Sequence, residues 1–464
     1  MIKRFTRTAT PLALALALAG CMSLAPKYER PAAPVAASFP ELAPSAATGA
    51  AASSIAWQQF FADARLKQLI ELALANNRDL RVAILNIEQA RAQYQIRRAD
   101  TLPSVGIGAS GSRATESEDS IRSTYSAGLV VSAFELDLFG RVRSLSDAAL
   151  AQFLATEEAR KATHISLVAS VANAHLQLLA DEELLALTQK TLDARLESLK
   201  LVQLKYDNGV VSKLDLQQSL SLVDSARVTL AQQQRLRAQD TNLLTLLVGQ
   251  TIPEALAPGA TLAETMLGEL PGGLPSDLLA VRPDIRAAEQ QLIAANANIG
   301  AARANFFPRI SLTGSAGSVS SELSGLFKSG SFGWSFAPQM VLPIFDYGRN
   351  SATLGSAKAG REIAVAQYEK SIQTAFREVA DGLAGQATYS EQLRAQRAVA
   401  AAEAERFNLS DLRYRSGASS YLDLLDAQRS LFVAQQAAVQ ANLQRLQNQV
   451  TLYRVLGGGW TATQ

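Results

Sequence analysis

From Arg141 to about Lys205 the chain contains neither proline nor glycine, the two residues that most readily stop a helix. Apolar residues in this run, such as Leu185, Leu192, Leu196 and Leu199, recur at spacings of seven, four and three, which places them on one helical face. At about 1.5 Å of rise per residue, a helix of roughly 65 residues is about 100 Å long, several times the thickness of an ordinary domain. No compact globule holds such an element. The sequence therefore requires an elongated helical body that spans a distance.

The run occurs twice. Gly140-Arg141 recurs as Gly348-Arg349, Gly209 as Gly417 and Gly249 as Gly457, all at a shift of 208 residues, so the matching helix runs from Arg349 to about Arg413. Upstream, RADTLPSVGIGASGS (98–112) resembles RANFFPRISLTGSAGS (303–318) at a shift of 205. The unit is far longer than a solenoid repeat of about 20–50 residues. We divide the chain into a first repeat at 57–250, a linker at 251–275, a second repeat at 276–457 and a tail at 458–464. After a turn at 206–212 a second helix runs to about Val248, the irregular GQTIPEALAPGATLAETMLGELPGG follows, and another helix runs from Ser276 to about Phe306. Residues 57–100 and 419–456 supply the equivalent helices of the other copy. The interruption lies midway, which predicts a belt of irregular structure around the helical body.

Between the long helices the period changes to two. Pro103, Val105, Ile107 and Ala109 alternate with Ser104, Gly106, Gly108 and Ser110; Tyr125, Ala127, Leu129, Val131 and Ala133 continue the pattern. In the second copy Pro308, Ile310 and Leu312 face Arg309, Ser311 and Thr313, and Phe332, Trp334, Phe336, Pro338 and Met340 face Gly333, Ser335 and Gln339. Four strands result, at about 102–113, 122–138, 307–319 and 331–345, forming two hairpins. Each has the length of a tilted membrane strand, with an apolar outer face and a small or polar inner one. A half-exposed soluble sheet would show the same alternation, so the decision falls to the N-terminus.

There Lys3, Arg4 and Arg7 precede TATPLALALALAG, an uncharged run that stops at Cys21. Its apolar part is about 12 residues, short of the roughly 17–25 that a spanning helix needs, so residues 1–20 read as a secretory signal. LAGC resembles the lipobox of bacterial lipoproteins, which implies a covalent lipid on Cys21 and a lipid-anchored segment at 21–56. In such lipoproteins Met22, in place of Asp, implies sorting to the outer membrane. Four membrane strands cannot close a barrel, because an open edge in lipid leaves backbone groups unpaired and single-chain barrels begin at about eight strands. Several chains must share one barrel; three copies would supply 12 strands, and the helices would continue its wall.

Other functions find little support. Removing residues 1–20 takes three of the 44 Lys and Arg and none of the 42 Asp and Glu, leaving a nearly neutral chain that does not suit nucleic acid. His164 and His175 are the only histidines, both inside a long helix with no HExxH and no cysteine partner, and read as exposed or wall-lining residues. GIGASG (106–111) lies in a strand with no helix start after it, so it is not a phosphate loop. No catalytic residue, metal site or cofactor is expected beyond the lipid on Cys21.

LAPKYERP after Cys21, ELDLFGRVRS (135–144), RPDIRAAEQQLIAANANIGAARANFFP (282–308), LPIFDYGR (342–349) and YLDLLDAQRSLF (421–432) resemble the TolC/OprM-like outer-membrane efflux channels, in particular the lipoprotein branch of resistance-nodulation-division systems. The resemblance covers nearly all of the mature chain. It implies a homotrimer with a 12-stranded β-barrel, an α-helical periplasmic tunnel and an equatorial belt, serving as a passive exit duct for drugs and other small toxic compounds. The implied partners are outer-membrane lipid, a periplasmic adaptor and an inner-membrane resistance-nodulation-division pump. Protein export of the type I kind and metal-ion efflux are alternatives within the channel class; a structural coiled-coil lipoprotein is one outside it.

The turns between the long helices are the tips. By resemblance the adaptor meets Gly209, Ser212, Leu214 and Asp215 in the first copy and Gly417, Ser420, Leu422 and Asp423 in the second. A local account also fits: glycine ends a helix, serine caps the next and aspartate complements its dipole. Asp426 differs, because it lies four residues after Leu422 on one helical face, while the first copy has Gln218 and Leu214. Three-fold symmetry would set an apolar ring beside an acidic one, and in the resembling channels a matching Leu and Asp close the periplasmic entrance. Leu422 and Asp426 are therefore the expected gate, with Arg429 pairing an acid of a neighbouring helix.

Overall fold

A computed structural model of the chain describes residues 23–36, 52–117, 120–268, 270 and 281–460. The signal, Cys21 and the helix start expected at Ser276 lie outside the described residues. Eight α-helices and four strands are used below: α1 (Trp57–Phe60), α2 (Ala64–Asn76), α3 (Arg78–Ala99), β1 (Val105–Ser117), β2 (Ser120–Leu136), α4 (Arg141–Asp207), α5 (Lys213–Val248), α6 (Pro283–Ala304), β3 (Arg309–Ser320), β4 (Phe332–Val341), α7 (Arg349–Arg415) and α8 (Tyr421–Val455). They fall into two units. One comprises Met1–Ala33, Leu85–Glu158 and Arg286–Ser371; the other comprises Pro34–Ile84, Ala159–Ile285 and Ile372–Gln464.

The first unit holds the sheet, which is antiparallel throughout in the order β1-β2-β3-β4. Its register aligns Ile107 with Leu129, Leu129 with Ala316 and Ala316 with Trp334, so apolar side chains share one face across all four strands. Ile107, Leu129, Trp334, Phe336 and Met340 are all exposed there, an apolar surface of the kind a membrane strand turns to lipid. The opposite face is small and hydroxylated. Ser110 bonds Ser126 at 2.8 Å and Ser315 bonds Ser335 at 2.7 Å. Between Val131↔Gly314 and Phe134↔Leu312 two residues of β2 oppose one of β3, a bulge at which Ala133 takes φ 47° and its N–H donates to Thr313 Oγ1 at 3.2 Å.

β2 and β4 each enter the long helix that follows through an aspartate. Asp137 Oδ2 accepts from the Arg143 N–H at 2.8 Å, and Asp346 accepts from Gly348 N at 3.0 Å and Asn350 N at 2.9 Å. These carboxylates satisfy first-turn donors that a helix start otherwise leaves bare. The N-terminal segment is strapped along α6. Arg303 donates to Leu24 O at 3.0 Å, Asn296 to Pro26 O at 2.7 Å, and Arg30 forks onto Glu289 at 2.7 and 2.8 Å.

The second unit is helical, with a compact aromatic core beside the irregular segment 249–268. Trp57, Phe60, Phe61, Leu66 and Ile70 are buried, Phe60 stacks on Tyr453 at 4.0 Å, and Phe61 bridges to Leu267. The stretch 57–100, expected as one returning helix, is broken twice. Asp63 caps α2 through Arg65 N at 2.9 Å, and Asn77 Oδ1 accepts from Leu80 N at 2.9 Å in α3. The histidine expectation also fails: His164 and His175 are only 7% and 2% exposed. His175 Nε2 meets Asp63 Oδ2 at 2.9 Å, so the carboxylate that starts α2 also supplies the imidazole's polar partner. His164 packs edge-on to Trp460 at 5.1 Å, and burial, reinforced by Arg160, pushes its pKa down to about 4.

The helices α4 and α7 are each 67 residues long and unbroken. Interior glycines usually weaken a helix, yet α7 carries Gly385 where a Cβ would lie 2.4 Å from Asn448 Oδ1 of α8. Close packing explains it. Among the described residues no helix is long and apolar enough to cross a membrane.

Candidate functional site

The two helical turns of the second unit share one core. Val202 of α4, Leu216 and Leu222 of α5, Tyr414 of α7, and Tyr421, Leu424 and Leu425 of α8 are all buried together. The chain reverses by the same device at both. Gly209 (φ 73°) and Gly417 (φ 75°) adopt the left-handed conformation that lets Val210 N reach Lys205 O and Ala418 N reach Arg413 O, each at 2.8 Å. Those bonds occupy carbonyls left over at a helix C-terminus. Ser212 and Ser420 then start α5 and α8 through capping boxes. Asp215 N donates to Ser212 Oγ at 3.2 Å while Ser212 N donates to Asp215 Oδ2 at 3.0 Å; the Ser420–Asp423 pair repeats this at 3.3 and 3.1 Å. Asp215 and Asp423 thus have a sufficient local reason to be there.

Asp426 has a different partner. One turn into α8, it meets the Arg406 guanidinium of α7, which also bonds Glu403 Oε2 at 3.1 Å and Ser430 Oγ at 3.3 Å. Leu422 lies on the same helical surface and is 61% exposed, as is Leu214 of the first copy at 67%. Arg429 makes no ion pair within the chain among the described residues. It lines a cavity with Arg195, Ser221, Leu222, Ser225, Phe432 and Val433 instead.

Arg406 is the residue that reading the sequence missed. The signal was there: Arg406 lies 11 residues before Gly417 and Asp426 nine after it, nearly mirrored about the turn, so antiparallel helices set them side by side. Glu403 follows from helical spacing, three residues before Arg406.

Residues 69–250 and 274–458 match the outer membrane efflux protein family. The chain is 50% identical over 465 residues to the antibiotic efflux pump outer membrane protein ArpC of Pseudomonas putida, covering 98% of this chain and 96% of that protein. It is equally similar, with the same coverage, to the toluene efflux pump outer membrane protein TtgC of Pseudomonas putida. It superposes on the open state of the Neisseria gonorrhoeae MtrE outer membrane channel with a TM-score of 0.87 at 42% identity, covering 94% of this chain and 98% of that one.

The fold class is that of trimeric outer-membrane efflux channels, largely helical chains that lend four strands each to a common barrel. Its relatives are channel proteins, not enzymes. The open sheet with one apolar face, the 67-residue helices and the duplicated tips all follow from that architecture. This protein is the channel component of an efflux pump in the outer membrane of a Gram-negative bacterium, and the chain belongs to the outer membrane efflux protein family.

Proposed function

We propose that three copies close the open sheet into a 12-stranded barrel and form the passive exit duct of a tripartite pump. The observation that supports this best is the sheet itself: β1 and β4 are edges within one chain, and such edges in hydrocarbon cost several kcal/mol per unpaired backbone group. A periplasmic adaptor meets Gly209, Ser212, Leu214, Asp215, Gly417, Ser420 and Asp423 at the tips, and an inner-membrane resistance-nodulation-division pump supplies the substrates. Lipid on Cys21 adds an anchor in the outer membrane. Drugs and apolar solvents are the proposed cargo, in keeping with the names of the antibiotic and toluene efflux relatives.

The duct is held shut at rest by Leu422 and Asp426. Symmetry repeats an exposed leucine and a charged pair around the axis, so opening must separate Asp426 from Arg406 or move both away from the axis. Asp426→Ala and Leu422→Ala are expected to raise single-channel conductance of the purified protein in planar bilayers severalfold. Wild-type conductance in both variants would remove the gate from these residues and leave the duct intact.

A further inference from the structure

The cavity between α4, α5 and α8 holds about 230 Å³ and is lined by two guanidinium groups, two serines and one aromatic ring, with no carboxylate. Arg195 is the deep member, 5% exposed. Its Nη1 donates to the Leu222 carbonyl at 2.9 Å and its Cζ lies 5.5 Å from the centre of the Phe432 ring, yet its Nε is buried without an acceptor. Burial, and the nearby charge of Arg429 after it, hold the Arg195 guanidinium below its usual basicity. A buried cation beside a second cation is among the costliest arrangements a fold can keep uncompensated.

The acids nearby are already committed. Asp224 pairs with Arg227 at 3.0 Å, Glu197 with Lys200 at 2.6 Å, and Asp426 with Arg406. At the position of the second copy equivalent to Arg195 stands Glu403, itself bound by Arg406. The second hairpin therefore carries its own counter-charge where the first carries none.

We infer that this cavity is a binding site for a small oxyanion of the phosphate type, gripped by Arg195 and Arg429 with Ser221 and Ser225 at its mouth. Guanidinium N–H groups match tetrahedral oxyanions in spacing and charge, and Arg195 and Arg429 both line the cavity with no carboxylate among its lining residues. The bound anion bridges the α4–α5 hairpin to α8, three residues beyond Asp426. It acts as a removable counter-ion that fastens the first tip to the second.

The test uses the full-length channel purified in detergent. Potassium gluconate is exchanged for potassium phosphate at fixed ionic strength and pH while the thermal unfolding midpoint is followed. A saturable rise is expected in the wild type, with loss of that dependence in Arg195→Met and Arg429→Gln. If Arg195→Met does not fold, wild-type crystals soaked in selenate decide, because selenium scatters anomalously: a peak in the cavity within hydrogen-bond distance of the Arg195 and Arg429 guanidinium groups upholds the site. An unchanged phosphate response in Arg195→Met overturns it. Selenate peaks confined to surface lysines and arginines, an adventitious ion only, also overturn it, as does a carboxylate of an adjoining chain seated in the cavity.

Discussion

At the first tip Gly209 turns the chain at φ 73° and Ser212 shares a capping box with Asp215; at the second, Gly417 does so at 75° and Ser420 pairs with Asp423. The helices on either side of each glycine differ. The first copy has Gln218 and Ser198 where the second has Asp426 and Arg406, and Arg195 where the second has Glu403. The duplicated parts are those that any helical hairpin needs, namely a left-handed glycine and a capped start. Among the parts that differ, Asp426 with Arg406, and Arg195 with the Leu222 carbonyl, tie one helix to another rather than capping their own backbone. The difference separates what folds a tip from what a tip does.

The largest expected effect tests the shared part. Leu216 and Leu424 are equivalent residues, 7% and 3% exposed, in a single core. Truncation to alanine should cost about 2–5 kcal/mol at either site. Hydrogen exchange should then accelerate in both turns, 208–212 and 416–420, whichever leucine is cut. If Leu424→Ala loosens only the second turn, the tips are separate structures and the comparison between them loses its basis.

The next effect tests the part that differs. Asp426→Gln gives the second tip the first tip's residue, and Ser198→Arg with Gln218→Asp gives the first tip the second's pair. Conductance in planar bilayers should rise severalfold in the former and fall below wild type in the latter. Equal conductance in all three would make the charge asymmetry a surface accident.

Much of this was readable in the sequence, for reasons that differ by element. The four strands were legible because one face must meet lipid and the other water, which forces a period of two within each strand; the alternation expected through Ala133 breaks at the β2 bulge, where an extra residue shifts the apolar face to Phe134 and Leu136. The turns were legible because only glycine and a short polar cap solve a tight reversal. The break at Asp63 and Asn77 was not, since both residues are equally at home on an exposed helical surface until their capping bonds are seen. The histidines misled for a related cause: His175 is buried because Asp63, 112 residues away, offers it a partner. A pair so far apart leaves no local period, whereas Arg406 and Asp426, only 20 residues apart, are marked by their near mirror placement about Gly417.

A further asymmetry lies higher on the same helices. Asp181 of α4, 3% exposed, stands against Asp240 of α5, while the equivalent residues of the second copy are Tyr389 and Asn448. Burial first, then the hydrogen bond and charge of Asp181, push Asp240 up to about 6; Gln177 donates to Asp181 at 3.3 Å. Because the folded value lies above the ordinary 3.8, the folded chain holds this proton more tightly than the unfolded one. The stability it contributes is complete below the unfolded value and is lost as pH rises through about 6. The thermal midpoint should therefore fall between about pH 4 and pH 6, by the linkage of less than one proton per chain, and Asp240→Asn should flatten that slope. The second copy should add no such slope of its own, because Asn448 does not titrate and its amide donates to the Gly382 carbonyl at 3.0 Å.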